Sequence, residues 1–355
     1  MKALMLSGGS GTRLRPITHT AAKQLVPIAN KPILFYGLES LAAAGIAEVG
    51  VVVGRTKDEV MEAVGDGSAF DLKVTYIDQG DPRGLADTVL ISREFLGGDD
   101  FVMYLGDNFL LGGINDVVER FRNRGSSENA HILLARVPDP SRFGVAIMDG
   151  EGKVTGLLEK PVEPPSDLAL VGVYLFDPTI HDAVRAIEPS ARGELEITDA
   201  IGHLIKTGKN VGASMVDGYW KDLGEPEALL EGNRMALERL TTMIAGKVTD
   251  SKIEGTVVIE AGALVVDSVI RGPAIVGAGT VVRSSYVGPF SSIGRYCRIE
   301  ETEVANSIVL DNAVVSQIAE LEASIIGRYA QVLKRANRPI SNSIVVGDHS
   351  RLELI

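Results

Sequence analysis

The sequence is short of cysteine, of aromatic side chains and of positive charge. Cys297 is the only cysteine among 355 residues, so no internal disulfide can form and a reducing, cytoplasmic setting is expected. Aromatic residues make up 5% of the chain and tryptophan occurs once. Mean hydropathy is nevertheless positive at +0.15, so aliphatic residues must supply the difference. Basic residues number 35 against 47 acidic ones, a net charge of −12, which argues against nucleic acid or anionic lipid as a partner. No stretch approaches the roughly 20 apolar residues of a membrane span; Leu168 to Phe176 is a typical longest run. The opening Met1 to Gly9 holds too short an apolar run for a secretory signal. At roughly 100–200 residues per domain, the length suggests two or three domains.

The aliphatic surplus has an address. From Val257 an aliphatic or alanine residue recurs at every sixth position, through Ala263, Val269, Ile275, Val281, Val287, Ile293 and Ile299. The beat breaks near Asn306 and returns in pieces at Ile308, Val314, Ile326 and Val332. A period of six fits neither an amphipathic helix nor an alternating strand. It is the pattern of a hexapeptide β-helix, whose coils stack to bury an aliphatic column. The competing reading is a valine-rich sandwich with chance spacing.

Before about Lys247 the chain alternates short aliphatic strands with longer helical stretches. Strands are expected at Lys2 to Leu6, Glu48 to Val53, Leu72 to Ile77 and Phe101 to Leu105. Asn30-Lys31-Pro32 reads as the start of a helix running through Ala44, with Asn30 as cap and Gly45 as stop. Thr56-Lys57-Asp58-Glu59 reads as a capping box, and Leu85 to Phe95 as a further helix. Such alternation indicates a mostly parallel sheet with helices on both faces, in which ligands bind beyond the carboxyl ends of the strands. The border with the repeat falls between Leu240 and Gly255. From Thr249 onward there are 10 basic and 12 acidic residues, against 25 and 35 before it. An anionic substrate on the α/β part therefore needs a local basic cluster and a metal ion.

The first strand runs into Gly8-Gly9-Ser10-Gly11-Thr12-Arg13-Leu14-Arg15-Pro16. Glycines here let backbone amides approach a phosphate, and Arg13 adds a charged fork. A dinucleotide loop would want glycine at Leu14, and no Gly-Lys-Ser/Thr of a P-loop is present. The bland alternative is a tight turn. About ten residues on, Lys23 in Ala22-Lys23-Gln24-Leu25-Val26-Pro27 would add a second cation. The histidines His19, His131, His181, His203 and His349 are scattered without metal-ligand spacing, and Asp199 reads as part of a helix start. No serine sits in a Gly-x-Ser-x-Gly nucleophile elbow followed by a helix, which favours a direct in-line transfer over a covalent intermediate.

These motifs, with Asn30-Lys31-Pro32, Asp78-Gln79-Gly80, Gly84-Leu85-Ala86, Leu105-Gly106-Asp107-Asn108, Arg142-Phe143-Gly144-Val145, Leu158-Glu159-Lys160-Pro161, Val171-Gly172-Val173-Tyr174, Arg192 to Asp199 and Gly218 to Gly224, resemble the sugar-1-phosphate nucleotidylyltransferases. Within that family the chain looks most like the glucose-1-phosphate thymidylyltransferase branch, over residues 1 to about 240. The resemblance implies a Rossmann-like nucleotidyltransferase domain of α/β class, doubly wound and mostly parallel, at 1–245, followed by a left-handed parallel β-helix domain at 246–355.

The activity implied is transfer of a thymidylyl group from dTTP to glucose 1-phosphate, giving dTDP-glucose and pyrophosphate with Mg2+. By the same resemblance Arg13, Lys23 and Lys160 are the catalytic cations. Leu6, Gly8, Gly9, Ser10, Gly11, Thr12, Gln24, Gln79, Gly84 and Leu85 join Arg13 and Lys23 on the nucleotide, with Gln79 and Gly84 in the segment that reads the pyrimidine. Asn108, Gly144, Glu159, Val171, Tyr174, Arg192 and Trp220 join Lys160 around the sugar phosphate. Asp107 and Asp222 are the implied metal ligands. The same chemistry with UTP or another sugar 1-phosphate stays open, because one methyl group in a pocket is worth only about 1–3 kcal/mol. A binding protein without turnover is disfavoured by the presence of Arg13, Lys23 and Asp107.

The hexapeptide domain departs from the short family pattern and resembles a long form from actinobacterial and archaeal relatives, down to Val346-Gly347-Asp348-His349-Ser350. It is expected to drive symmetric homo-oligomerisation, to a tetramer or another closed assembly. An allosteric site and an acyltransferase are the alternatives. Against the acyltransferase stands the lack of any histidine from Thr249 to Asp348.

Overall fold

The computed structural model describes residues 1–9, 11–125, 128–334 and 346–353. Two compact units emerge, and they do not follow chain order. The first gathers Met1–Ser10, Ala22–Leu25 and Ile33–Asp222; the second gathers Gly11–Ala21, Val26–Pro32 and Leu223–Ile355.

In the first unit the chain order is β1 (Lys2–Ser7), α1 (Ile33–Ala43), β2 (Glu48–Val53), α2 (Lys57–Val64), β3 (Lys73–Asp78), α3 (Leu85–Ile91), β4 (Phe101–Leu105) and β5 (Asn108–Leu110). It continues with α4 (Asn115–Arg122), β6 (Ala130–Arg136), β7 (Gly144–Met148), β8 (Val154–Glu159), β9 (Leu168–Phe176), α5 (Ile180–Ala186), α6 (Ile197–Lys206), β10 (Val211–Met215) and β11 (Trp220–Asp222). Among the described residues a nine-stranded sheet runs β8-β7-β9-β4-β1-β2-β3, with β6 on β9 and β10 on β6. Strands β4, β1, β2 and β3 are parallel, as the alternation of strand and helix requires. Around β9 the pairing turns antiparallel, which makes the sheet mixed.

Alternate residues of each strand face opposite ways. Ala3, Met5, Val49, Val51 and Val102 pack with Leu34 and Leu38 of α1, Val60 of α2 and Phe121 of α4. Leu4, Leu6, Val52, Phe101 and Met103 pack with Ala86 of α3, Ile180 of α5 and Ile201 of α6. Helices thus cover both faces, the doubly wound arrangement.

Three local expectations fail for identifiable reasons. Asn30 is not a helix cap. It and Ala29 have φ of 59° and 46° and form the tight turn joining Pro27–Ile28 to Lys31–Pro32, so α1 starts only at Ile33. Thr56 precedes α2 but makes no side-chain cap bond; its would-be box partner Glu59 instead accepts from the Ala22 amide at 2.8 Å. The helix expected over Leu85 to Phe95 breaks at Ser92 into α3 and a short turn at Arg93–Leu96. Asp199 does lie in the first turn of α6.

The second unit is dominated by short parallel strands stacked into three sheets of six, six and five strands among the described residues, the regular rungs of a left-handed β-helix. Its period differs from the one read in the sequence. Val257 lies beside Ala274, and Ala274 beside Ser291, so a coil takes 17 residues, with 16 at a few later steps. A strict count of six therefore slips by one residue per coil. Val257, Ala263, Val287, Ile293 and Ile299 belong to the aliphatic column, whereas Val269, Ile275 and Val281 do not. The column is carried there by Ile270, Val276 and Val282.

One corner accounts for the repeat length. Asp250, Asp267, Ser284 and Glu301 turn it with φ of 45–49°. The next residue is Ser251, Ser268, Ser285 or Thr302, and the hydroxyls of the first three accept from the backbone amide one coil later at 3.0–3.2 Å. Each hydroxyl thereby pairs a corner amide that the sheets leave unbonded.

Candidate active site

A largely buried polar cluster of the first unit lies where β4 ends. Lys23 sits in a one-turn helix, Lys23–Leu25, and its Nζ hydrogen-bonds and ion-pairs with Oδ2 of Asp107. The two side chains are 9% and 19% exposed. Asn108, itself buried, donates from Nδ2 to Oδ1 of Asp107 at 3.0 Å. Its own Oδ1 accepts from Nε1 of Trp220 at 2.6 Å and from the Gly172 amide at 3.3 Å. A relay thus runs from the only tryptophan, through an amide, to a carboxylate and an ammonium. Burial pushes the Asp107 carboxyl up, but the Lys23 charge and the bonds from Lys23 and Asn108 outweigh it and hold the group below the ordinary carboxylate range.

Asp222 reaches the same neighbourhood through strand pairing. Strands β5 and β11 are antiparallel, with Asp222 opposite Asn108 and Trp220 opposite Leu110, so Asp222 stands beside the residue that follows Asp107. Asp107, in the turn that leads into β5, and Asp222, at the end of β11, supply two carboxylates, the hard-oxygen donors a small divalent cation takes beside substrate phosphates. The residues present fit such an ion.

Glycines shape the nucleotide side. A Cβ on Gly8 would lie 2.0 Å from Oε1 of Gln79, and one on Gly9 3.4 Å from Nε2 of Gln24. Gln79 thus packs against the glycine turn. Gly84 has φ of 111°, and a Cβ there would meet the Leu195 carbonyl oxygen at 2.4 Å. Only glycine fits this turn into α3, which Leu85 opens. Leu6 and Gln24 are buried. Ser10 lies outside the described residues.

A second cluster surrounds Glu159 at the end of β8. It accepts from Thr198 Oγ1 at 3.1 Å, with Arg192 at 3.4 Å and Lys160 at 3.7 Å. Burial is the largest influence on Glu159 and, against Lys160 and with Glu196 adding to it, lifts the carboxyl above its ordinary range. Lys160 has φ of 42°, and its amide bonds the Phe143 carbonyl at 2.9 Å. Gly144 is required by contact, since a Cβ would lie 2.7 Å from Thr198 Cγ2. Val171 and Tyr174 are both buried, Val171 packing with the α1 side of the sheet and Tyr174 with the α5 and α6 side. Burial raises the Tyr174 phenol far above its usual range, so it stays a neutral hydroxyl. Sequence reasoning missed Glu196 as a site residue: buried, it holds Arg192 Nη2 at 2.8 Å and Ser190 Oγ at 2.8 Å. Its place in the quoted Arg192 to Asp199 motif was the available signal.

In the second unit, Gly11 takes φ of 61° ahead of a one-turn helix, Thr12–Leu14, and its carbonyl accepts from Thr18 Oγ1 at 2.6 Å. Arg13 Nη1 pairs with Glu225 Oε1 at 3.1 Å. Glu225 precedes α7 (Pro226–Leu237), and nothing in the sequence singled it out.

Comparison with known proteins identifies the family. The nucleotidyl transferase family model matches residues 2–239. Glucose-1-phosphate thymidylyltransferases of Streptomyces griseus and Streptomyces antibioticus are each 56% identical over 355 residues, covering 100% of this chain and 99% of theirs. A solved structure from Bacillus anthracis, assigned as a glucose-1-phosphate thymidylyltransferase and holding sucrose, matches with a TM-score of 0.62 at 35% identity, over 70% of this chain and 98% of that one.

Proposed function

Because the chain belongs to the nucleotidyl transferase family, we propose that it transfers a thymidylyl group from dTTP to glucose 1-phosphate, forming dTDP-glucose and pyrophosphate. The observation that carries the chemistry is the strand-end group of Lys23, Asp107, Asn108 and Asp222. The preference for thymidine and glucose rests on the full-length likeness to the Streptomyces enzymes.

Joining two polyanions is mainly a matter of positioning and charge neutralisation. A phosphate oxygen of glucose 1-phosphate forms a bond to the α-phosphorus of dTTP. The bond from that phosphorus to the α–β bridging oxygen breaks, and its electron pair leaves with pyrophosphate. Arg13 and Lys23 neutralise the triphosphate and the departing pyrophosphate, and Lys160 holds the sugar phosphate for in-line attack. Glu159, steadied by Thr198 and Arg192, accepts hydrogen bonds from sugar hydroxyls. Gln79 pairs with the pyrimidine edge and the glycine turn leaves room for the phosphates. Asp107 and Asp222 would hold Mg2+, which supplies neutralisation of the phosphate oxygens.

The test is pyrophosphate release from dTTP, glucose 1-phosphate and Mg2+, with Lys160→Ala as control. No release above that control would sink the proposal. A competition between dTTP and UTP, compared as kcat/KM, decides the base. Residues 1–245 are proposed as the catalytic domain and 246–355 as the β-helix domain. A symmetric homo-oligomer, a tetramer or another closed assembly, is the expected state, which light scattering on a sizing column reads directly.

A further inference from the structure

The β-helix is built into the same compact unit as the N-terminal segments that carry Arg13 and the Ala29-Asn30 turn. One side chain holds them together. Asn233, on α7, is wholly buried. Its Oδ1 accepts from the Ala29 amide at 2.8 Å and from Ser292 Oγ at 2.6 Å, and its Nδ2 donates to the Phe290 carbonyl at 3.0 Å. A fourth bond joins the same partners directly, from Asn30 Nδ2 to the Ile293 carbonyl at 2.7 Å.

Ala29 and Asn30 both have positive φ, a conformation non-glycine residues keep only where surrounding contacts enforce it. The enforcing contacts come from one β-helix rung, Ser291–Ile293 with Phe290 before it, and from α7. The helix that carries Asn233 also begins directly after Glu225, the partner of Arg13. Arg234, next to Asn233, lays its guanidinium 4.5 Å from the Phe290 ring centroid.

We propose that Asn233 is a positioning residue for nucleotide binding, and that through it the β-helix sets the triphosphate affinity of the enzyme. The inference rests on the reading of Arg13 as a triphosphate contact. Asn233 touches no substrate. It fixes α7 and the Ala29-Asn30 turn against one rung, and so fixes the frame in which Glu225 holds Arg13. Leucine at 233 keeps the volume but leaves the Ala29 amide, the Ser292 hydroxyl and the Phe290 carbonyl without their partner.

The experiment compares full-length wild type with Asn233→Leu, Asn233→Asp, Ser292→Ala and Asn30→Gly. Steady-state kinetics in both substrates are combined with calorimetric titration of dTTP and with melting curves. For Asn233→Leu the KM and Kd for dTTP should rise about tenfold or more, the loss that unpairing buried polar groups brings, with KM for glucose 1-phosphate moving less than about twofold. Asn233→Asp keeps both accepting contacts but turns a carboxylate oxygen on the Phe290 carbonyl, so it should recover only part of the affinity. Ser292→Ala and Asn30→Gly each remove one bond, Gly keeping the positive φ, and should raise the dTTP Kd a few-fold; they decide the matter if the leucine variant does not fold. Unchanged dTTP affinity in folded variants, or an equal loss towards both substrates, overturns the inference. A wild type that releases no pyrophosphate overturns the functional reading itself, and this inference with it.

Discussion

Replacing Lys23 by methionine keeps the stem and removes the charge that Asp107 faces. Asp107 then keeps only the Asn108 amide and a backbone bond, in a site where its side chain is 19% exposed. Breaking a buried pair from one side costs about 3–5 kcal/mol, and the residual exposure argues for the lower end, about 3 kcal/mol. For a chain of 355 residues that is a fall of about 4 °C in melting temperature. The double variant Lys23→Met/Asp107→Asn carries neither charge, so it should be more stable than the two single losses predict by about 2 kcal/mol or more. Urea denaturation of the four proteins at pH 7.5 without divalent cations closes the cycle.

The pH dependence gives an independent check with a definite sign. In the wild type the Asp107 carboxyl is held below its unfolded value. Its stabilising share is therefore present above about pH 4 and fades as pH falls through the lower folded value. In Lys23→Met only burial and the weaker bonds remain, so the carboxyl moves up and the variant should gain on the wild type as pH drops from 7 towards about 4.5. Single losses that add to within about 0.5 kcal/mol, or parallel pH curves, would refute the coupling.

Other substitutions probe neighbouring features. Gly84→Ala puts a Cβ 2.4 Å from the Leu195 oxygen at φ of 111°, and should cost about 2 kcal/mol or more in denaturant melts; a neutral effect would disprove the close approach. Trp220→Phe removes the 2.6 Å bond to Asn108 and should raise the Mg2+ concentration for half-maximal rate several-fold, while in the wild type the emission of this single tryptophan should change on adding Mg2+ and dTTP. Silence in both assays would uncouple Trp220 from Asp107. Cys297 is buried and its thiol is pushed up to about 11, chiefly by burial, so Ellman's reagent at pH 8 should react only after unfolding.

Strand identity in the parallel half of the sheet was legible because Val49 to Val53 and Phe101 to Leu105 are short apolar runs, buried almost throughout. Asp107 had a local reason, its place at a strand end, and Lys23 had its place beside the glycine loop, whereas Asp222 rested on the resemblance alone. That Lys23 would close on Asp107 across 84 residues depends on tertiary packing that no local pattern encodes. The hexad misled by one residue per coil because the corner residue is polar and its glycine-like φ is taken by Asp, Ser or Glu. Asn30 looked like a cap because capping and left-handed turns favour the same residue. Asn233 was invisible: an asparagine amid Leu-Glu-Gly and Arg-Met-Ala reads as surface helix, and only burial reveals its three bonds.

The interleaving of early and late chain has a consequence for how the protein is made. Synthesis runs from the N-terminus, so Gly11–Ala21 and Val26–Pro32 leave the ribosome among the first segments. Their partners lie 204 to 263 residues further on, at Glu225, Asn233 and Ile293. The first-made part of the signature must wait for these distant partners, the last of the three in the β-helix coil at Ile293. Contacts of such sequence separation are formed late and slowly. A nascent chain that already holds every residue of the nucleotide turn would still lack its finished frame, and competence for catalysis should arrive near the end of translation, in a single step with the closing of the β-helix.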